Sequence, residues 1–288
     1  MPQPDVTAFF HAASHTFSYV VADPATRRAA VIDAVLDYDA ASGRSGHASA
    51  DTLVAFVQAQ GLAVDWIIET HVHADHLSAA PYVQAQLGGR IGIGEHVRAV
   101  QATFGELFNA GAGFARDGSQ FDHLFADGER YLVGGIEAQA LHTPGHTPAC
   151  MTHVIGDAAF VGDTLFMPDY GTARCDFPGG DAATLYRSIR RLFELPDRMR
   201  IFLCHDYKAP GRETFAHQTT VAAERTGNVH VHDGIGEAEF VTLRRARDAT
   251  LAVPPLLLPA VQVNMRAGRL PPAEDNGVHY LKIPLDAF

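Results

Sequence analysis

The sequence has few cysteines and no run of basic residues, and both shortages narrow the classes of protein to which it can belong. It contains three cysteines in 288 residues, an odd number without paired spacing. This usage does not suit a disulfide framework and favours a reducing compartment. The net charge is −11, and an acidic balance argues against nucleic acid or an anionic membrane as the main partner.

Long apolar runs are also missing. The first residues do not lead from a basic segment into an apolar one, and no apolar stretch is long enough to span a bilayer. We therefore expect no signal peptide, no membrane segment and a cytoplasmic location. The residues that are present, 47% hydrophobic and 19% charged, make up the composition of a folded protein.

The pattern of apolar residues predicts two successive groups of strands, each followed by helices. The expected strands are 16–22, 29–34, 64–70, 91–93, 130–133, 137–142, 151–155, 158–161 and 200–204. The expected helices are 51–60, 77–87, 95–108 and 182–193, with a loop at 37–49 and mixed helix and loop after about residue 211. Such an order indicates two sheets packed face to face with helices outside, an α/β sandwich.

Histidine is abundant, with 16 residues, and four segments rich in metal-ligand residues each end a predicted strand. They are T-H-V-H-A-D-H at 70–76, H-T-P-G-H-T-P at 142–148, V-G-D-T at 161–164 and C-H-D-Y-K at 204–208. Strands fix the directions of ligand side chains, while the loops that follow leave room for a substrate. The four segments together predict a metal site.

Spacing within the first segment supports this prediction. His71 and His73 are two residues apart at the end of a strand, so both side chains can face one ion, and Asp75 and His76 in the following turn can face a neighbouring position. A single H-x-H pattern is weak evidence, and the second one in this chain, at 230–232, is interpreted as an ordinary strand or loop. No partner is predicted for eight further histidines, which are His11, His15, His47, His96, His123, His153, His217 and His279. His142 is expected to support its loop and not to be a ligand.

The four segments, in this order and at these spacings, resemble the metallo-β-lactamase superfamily over roughly residues 15–210. The resemblance implies an αββα sandwich with the metal site at one edge of its two sheets. It matches His71, His73 and His146 to one metal position. It matches Asp75, His76 and His205 to the other, and Asp163 to the carboxylate between them.

Two branches of the superfamily compete as models for the chemistry. Many hydrolases, including the thioester hydrolase glyoxalase II, fill both positions with zinc and activate a bridging water. Persulfide dioxygenases, also called sulfur dioxygenases or ETHE-type proteins, bind one Fe(II) through two histidines and one aspartate, which leaves positions open for substrate and O₂. Four stretches of this chain resemble the second branch: H-T-P-G-H-T-P-A-C, F-V-G-D-T-L-F, T-A-R-C-D-F-P-G-G-D-A-A-T-L-Y-R-S-I at 172–189, and C-H-D-Y-K.

The resemblance to the dioxygenases implies a role for each site residue. Iron would be held by His71, His146 and Asp163. Arg174 and Asp176 would brace the active-site loop, and Tyr207 would hydrogen-bond to bound substrate or oxygen. The remaining members of the set, His73, Asp75, His76 and His205, would surround the iron or line a vacant second position. Arg174, Lys208, Arg212 and Arg225 are candidate cations for an anionic carrier such as glutathione.

Some features depart from the mitochondrial-type dioxygenases. This chain has Thr172 and Ala173 where those proteins carry Cys-Gly, and it adds the 37–49 loop and an extension beyond Glu213. Both additions resemble a bacterial subgroup of β-lactamase-like hydrolase-related proteins, some of which are linked to sulfide detoxification. We expect a catalytic domain at 1–212 and a helical or irregular extension at 213–288 packed on the same domain.

The resulting hypothesis is an iron-dependent oxidation of a low-molecular-weight thiol persulfide, with glutathione persulfide as the expected substrate, by O₂ to sulfite and thiol. No protein thiol is required, so Cys150, Cys175 and Cys204 are interpreted as packing residues. The alternatives are a dinuclear zinc thioester hydrolase of the glyoxalase II type and a metal-binding regulatory protein without turnover. A homodimer is a further expectation.

Overall fold

A computed structural model of the chain describes residues 3–287. Its strands are β1 (Asp5–His11), β2 (Thr16–Asp23), β3 (Arg28–Ile32), β4 (Val35–Asp39), β5 (Arg44–Gly46), β6 (Ala63–Ile68), β7 (Leu77–Ser78), β8 (Arg90–Gly94), β9 (His123–Phe125), β10 (Arg130–Val133), β11 (Ile136–His142), β12 (Met151–Ile155), β13 (Ala158–Phe160), β14 (Arg200–Phe202) and β15 (Gln218–Thr220). Its helices are α1 (Ala48–Ala59), α2 (Ala80–Leu87), α3 (Val97–Leu107), α4 (Ala182–Leu192), α5 (Val221–Gly227), α6 (Glu237–Asp248) and α7 (Leu257–Asn264).

Two six-stranded sheets form the centre of the fold. The first has the order β1-β2-β3-β6-β8-β9, and the second runs in chain order from β10 to β15. In the first sheet, β3, β6, β8 and β9 are parallel, and β2 and β3 are almost entirely buried. A strand buried on both faces reads as a continuous apolar run, which is why these strands were predictable from sequence.

Three layers of apolar contact define the sandwich. Alternate side chains of β2 and β6, such as Tyr19 and Trp66, pack against the second sheet and form the core between the two sheets. The opposite face of the first sheet packs against α1, α2, α3 and α7. The outer face of the second sheet packs against α4 and α6. The order of layers is therefore helix, sheet, sheet, helix, and the predicted αββα fold is confirmed.

The segment predicted as a loop at 37–49 is instead a short hairpin, and that prediction was wrong. Strands β4 and β5 pair in register from Asp37 opposite Gly46, and β7 pairs with the other side of β4. The Asp39 carboxylate accepts hydrogen bonds from Ala41 N and Ser42 Oγ in the turn. Because most of this ribbon is exposed, its polar residues carry no apolar alternation from which strands could be predicted.

Residues beyond 212 contribute to both halves of the sandwich. β15 extends the second sheet at its edge, α6 packs on α4, and α7 packs beside β7. The predicted boundary at residue 212 falls between β14 and β15, which pair in the same sheet. The division into a catalytic domain and an extension therefore stays a prediction. No helix within residues 3–287 is long and apolar enough to cross a membrane.

One buried acid in this region gives a stability prediction. Glu224 of α5 accepts a hydrogen bond from Asn228 Nδ2 at 2.7 Å, and burial raises its pKa to about 8, above the ordinary value of about 4.3. The folded chain therefore holds a proton that the unfolded chain releases, so this group destabilises the fold progressively as pH rises from about 4.3 to about 8.

Replacing Glu224 with glutamine removes that dependence while keeping the shape. We compare the free energy of unfolding of Glu224→Gln with that of the parent chain. We expect this difference to shift in favour of the variant by about 1 kcal/mol or more between pH 5 and pH 8. Urea unfolding of both proteins at the two pH values measures the change. A difference between the two proteins that is the same at pH 5 and pH 8 would contradict the assignment.

Candidate metal centre

Asp33 positions the histidine segment that follows β6. It comes directly after β3, the parallel neighbour of β6, with a positive φ of 50°. Its carboxylate accepts hydrogen bonds from Thr70 N and Thr70 Oγ1, both at 2.8 Å. The same carboxylate lies 2.9 Å from His73 Nε2. The end of one strand thus fixes the ligand loop at the end of the next.

His71, His146 and Asp163 form the first group of ligand atoms. These atoms all lie within 4.8 Å of one another. Asp163 Oδ2 is 3.6 Å from His146 Nε2 and 3.9 Å from His71 Nε2. His146 Nδ1 lies 2.8 Å from the Arg174 carbonyl oxygen, so it must be the donor in that bond. Its Nε2 therefore keeps the lone pair that a metal needs.

Two glycines let the surrounding loops approach this group. Gly145 has φ of 139°, and a Cβ there would lie 2.3 Å from Leu185 Cα, so the loop carrying His146 can lie directly on α4. Gly162 has φ of 53°, and a Cβ there would lie 2.8 Å from Thr70 Oγ1. Both positions require glycine, because a side chain would push the ligand loops apart.

The second group of ligand atoms consists of His73, Asp75, His76 and His205. Asp163 links the two groups, because its Oδ1 lies 3.3 Å from His205 Nε2. The Thr16 hydroxyl lies 3.4 Å from Asp75 Oδ2, from His76 Nδ1 and from His205 Nδ1. One hydroxyl on β2 therefore touches three of the four side chains in this group.

His73 lies between the two groups. The superfamily resemblance matched it to the same position as His71 and His146, but its ligand atom groups with Asp75, His76 and His205. Its ring centre is 4.1 Å from that of His71 and 4.2 Å from that of His76. The side chain is therefore close enough to both positions to border either ion.

The unpaired atoms of the cluster show that the residues fit a metal. Among residues 3–287, five buried atoms of this cluster have no hydrogen-bond partner: His71 Nε2, His73 Nδ1, His76 Nε2, His205 Nε2 and Asp163 Oδ1. Buried polar atoms are rarely left unpaired without a reason. Histidine nitrogens and a carboxylate oxygen that converge in this way are the ligands of zinc and of non-haem iron.

Burial also keeps the histidines in the form that binds metal. Burial, strengthened by the neighbouring His73, lowers the pKa of His71 well below its ordinary value, and burial does the same for His73. Metal binding needs neutral imidazole, so these rings do not have to lose a proton first. At His205 burial acts in the same direction, but the carboxylates of Asp163 and Asp75 outweigh it and raise its pKa.

A cavity of about 490 Å³ opens onto the cluster. Asp75, His146 and Asp163 are the cluster residues that line it, and Tyr207 and Arg174 line it as well. Tyr207 is 39% exposed, and burial of the rest of the side chain raises its pKa well above the ordinary value. Its hydroxyl therefore stays protonated and can donate a hydrogen bond into the cavity.

Arg174 and Asp176 are paired within the loop at 172–178. Arg174 binds both carboxylate oxygens of Asp176, at 2.5 and 2.6 Å. A further nitrogen of Arg174 donates to the Ala252 carbonyl oxygen at 2.7 Å. This arginine therefore joins the active-site loop to the segment that follows α6.

The other three candidate cations are not among the residues that line the cavity, in contrast to the expectation that they would line the cleft. The Lys208 ammonium group lies 4.5 Å from the ring centre of Phe215. Arg212 is held by the carboxylates of Asp169 and Asp206. Arg225 pairs with the exposed acids Asp197 and Asp233. A count of basic residues near a motif could not reveal these acidic partners.

Several histidines that had no predicted partner do have one. His11 pairs with Asp37 at 3.4 Å, His123 with Glu129 at 2.6 Å, and His153 lies 2.9 Å from the Tyr131 hydroxyl. His142 Nε2 lies 2.9 Å from the Pro148 carbonyl oxygen, within its own loop, as expected. In the second H-x-H pattern, His230 accepts from Thr172 N and His232 accepts from Gly234 N, so both rings serve local structure.

All three cysteines are buried and free. Burial raises the pKa of Cys150 to about 12 and that of Cys175 still further. The Cys204 thiol donates weakly to Asp33 Oδ2 at 3.7 Å. Thiols in this state are poor nucleophiles, in agreement with the interpretation of these residues as packing residues.

Sequence reasoning missed some residues of the site. Asp33 and Thr16 lie in strand segments that carry no motif, and only the pairing of β3 with β6 and the bridge between Thr16 and His205 bring them to the cluster. Arg244 and Arg247 line the cavity from α6, far from any ligand segment in the sequence. They lie in the region after residue 211 that was predicted only as mixed helix and loop, and no motif marks them.

The sandwich and its ligand set define the class of protein. A family model described as "Metallo-beta-lactamase superfamily" matches residues 12–205, and the chain belongs to this superfamily. It is a metal-dependent enzyme of the superfamily.

The proteins that are similar to this chain carry names that imply different functions. A protein named probable metallo-hydrolase from Burkholderia pseudomallei is 59% identical, over 98% of this chain and 99% of its own length. Glyoxylase B2 of Dictyostelium discoideum is 46% identical over 95% and 94%. The mitochondrial persulfide dioxygenase ETHE1 of Homo sapiens is 30% identical over 90% and 87%. Among solved structures, ETHE1 from Myxococcus xanthus superposes with a TM-score of 0.73 at 29% identity, covering 92% of this chain and all of that one.

Asp163 belongs to the first group and lies 3.3 Å from His205 of the second, so its loss should be the most damaging single change. We expect Asp163→Ala to lose bound metal and activity, because the remaining histidines lack the carboxylate that neutralises part of the ion's charge. Elemental analysis of the purified protein measures the metal, with circular dichroism to check the fold.

Asp197→Ala is the matched control, since Asp197 is an exposed acid whose ion-pair partner within residues 3–287 is Arg225. It should keep the metal content of the parent chain. Full metal retention in Asp163→Ala would contradict the ligand assignment.

Proposed function

We propose that this protein oxidises a low-molecular-weight thiol persulfide with O₂, using one Fe(II) per chain held by His71, His146 and Asp163. Two nitrogens and one carboxylate oxygen form the ligand set expected for non-haem iron oxygenases. His146 and Asp163 both border the cavity, so a substrate in the cavity would meet the ion directly.

The observation that carries this proposal is the bond between Arg174 and His146. The Arg174 carbonyl holds the Nδ1 edge of His146, while the Arg174 side chain binds Asp176. The segment that resembles the dioxygenase branch therefore orients one of the three proposed iron ligands. The stretch that resembles the dioxygenases therefore contacts the proposed metal site directly.

The reaction follows from the chemistry of the parts. Bound iron would supply open positions for a soft sulfur anion and for O₂. Both atoms of O₂ and one oxygen from water end on the terminal sulfur, which leaves as sulfite, and the carrier leaves as a thiol. Tyr207 lines the cavity, and its hydroxyl would donate a hydrogen bond to the substrate or to oxygen. The apolar side chains of Phe166, Leu251 and Val253 limit the water around the reacting sulfur.

The names of two similar proteins support this proposal, and those of two others do not. The persulfide dioxygenase of Homo sapiens and the ETHE1 structure from Myxococcus xanthus match most of the chain. The more similar relatives are named a metallo-hydrolase and a glyoxylase. We propose glutathione persulfide as the substrate, in sulfide detoxification in the cytoplasm, without a nucleic acid or membrane partner and with a homodimer as the assembly.

A dinuclear zinc thioester hydrolase is the second candidate, and one observation favours it. The second ligand group is complete, with buried unpaired nitrogens on His76 and His205 and with Asp163 bordering both groups. Two zinc ions could occupy such a pair of positions and activate a water between them.

Metal analysis and oxygen uptake distinguish the two functions. For protein purified without air, we expect about one iron per chain and prompt O₂ consumption when glutathione persulfide is added. S-lactoylglutathione, a thioester, should be hydrolysed slowly or not at all. Two zinc ions per chain, with thioester hydrolysis and no O₂ uptake, would overturn the dioxygenase proposal in favour of the hydrolase.

Tyr207 gives a further prediction for the same reaction. We expect Tyr207→Phe to keep its metal and to lower kcat for O₂ uptake by about tenfold, because a hydrogen bond to a charged group typically contributes about 1.5–3 kcal/mol. Tyr38→Phe is the control, since Tyr38 lies on the β4–β5 hairpin and does not line this cavity. An unchanged kcat in Tyr207→Phe would exclude the hydroxyl from the reaction.

A further inference from the structure

Three arginines line the cavity, and two of them are neutralised by acids. Arg174 binds Asp176, and the buried Arg244 binds Asp248 at 2.8 Å. Arg247 forms no ion pair with any residue in the described range 3–287, although it is exposed and lines the same cavity. It is therefore the cation of this cavity whose charge is available to a ligand.

Packing places the Arg247 side chain against the cavity wall. Its guanidinium carbon lies 5.7 Å from the ring centre of Tyr170, which also lines the cavity. Tyr170 in turn lies against Tyr207, with ring centres 5.4 Å apart. A row of aromatic rings thus connects the free guanidinium to the part of the cavity that borders the metal cluster.

The lining combines groups of different chemistry. Asp75, His146 and Asp163 belong to the metal cluster, Phe166, Leu251, Val253 and Leu256 are apolar, and Arg247 supplies the unneutralised positive charge. A volume of about 490 Å³ falls within the range of sites for small molecules. The cavity therefore suits a ligand that carries a sulfur for the metal and a carboxylate for the guanidinium.

We propose that Arg247 determines specificity by binding a carboxylate of the thiol carrier, which is the glycine carboxylate if the carrier is glutathione. The other carboxylate of glutathione lies beside its own ammonium group, so the glycine carboxylate carries the uncompensated charge. Guanidinium groups bind carboxylates through two parallel hydrogen bonds. This proposal rests on the proposed function for the identity of the carrier.

The chain offers a matched control on the same helix. Arg245 is also exposed and lies in the last turn of α6, but it does not line the cavity. Two residues along a helix correspond to about 200° of rotation, so the two side chains leave α6 on opposite sides. Arg247→Gln and Arg245→Gln therefore change the net charge equally while altering the cavity in only one case.

The test measures binding and turnover separately. Calorimetry gives the dissociation constants of glutathione and of glutathione monoethyl ester, whose glycine carboxylate is blocked, for the metal-loaded parent and both variants. Oxygen uptake gives KM and kcat for glutathione persulfide. We expect Arg247→Gln to weaken glutathione binding and to raise KM by about tenfold with kcat little changed. Arg245→Gln should match the parent, and Arg247→Lys should recover part of the loss.

The ester separates a carboxylate contact from a general effect of charge. The parent should bind glutathione more tightly than the ester, and that preference should vanish in Arg247→Gln. Equal effects of both arginine variants, or an ester preference that survives in Arg247→Gln, would overturn the proposal. So would a parent protein that turns over glutathione persulfide without measurable glutathione binding.

The binding arm also distinguishes this proposal from the function on which it rests. If the parent binds glutathione through Arg247 but consumes no O₂, the dioxygenase proposal fails and the role of Arg247 stands. If O₂ uptake is prompt and the KM of Arg247→Gln is unchanged, the function stands and the role of Arg247 fails.

Discussion

The carboxylate of Asp33 is the interaction on which the metal centre depends. It accepts two hydrogen bonds from Thr70 and lies against His73, at the point where two parallel strands end side by side. Parallel strands place their carboxyl ends at the same edge of the sheet, so one acidic residue there can orient the loop of its neighbour. The side chain is buried, and its bonds to backbone and side chain leave the ligand loop little freedom before any ion binds.

The superfamily and most of the site could be predicted from sequence because the ligands come in short segments, each following an apolar strand. The grouping of His71, His146 and Asp163 followed from resemblance, and the structure brings these residues together. The cations that line the cavity could be predicted only in part, since Arg174 was among the candidates and Arg244 and Arg247 were not. Lys208 and Arg212 lie close to a ligand in sequence but turn to other partners, whereas Arg247 reaches the cavity from a helix about forty residues later. Proximity in sequence predicts a ligand loop, but acidic partners and helix packing determine which charges face the cavity.

Different neighbouring residues hold the ligands of the two possible metal positions. All residues of both positions are retained, and Asp163 borders each group. Around the first group, the Arg174 carbonyl holds His146. Around the second, Thr16 contacts three side chains through a single hydroxyl. Such outer contacts set the orientation and basicity of the ligands, and in this chain they are of different kinds at the two groups.

The amide of Asn264 donates to the carbonyl oxygens of His73 and His76, which precede it by 191 and 188 residues, and its oxygen accepts from Ser78 N. These three bonds tie the backbone of the ligand loop to α7, at the far end of the sequence. The loop is therefore held from two directions, by Asp33 at the end of β3 and by Asn264 in α7. A substitution in α7 can thus reach the ligand loop without touching any ligand side chain.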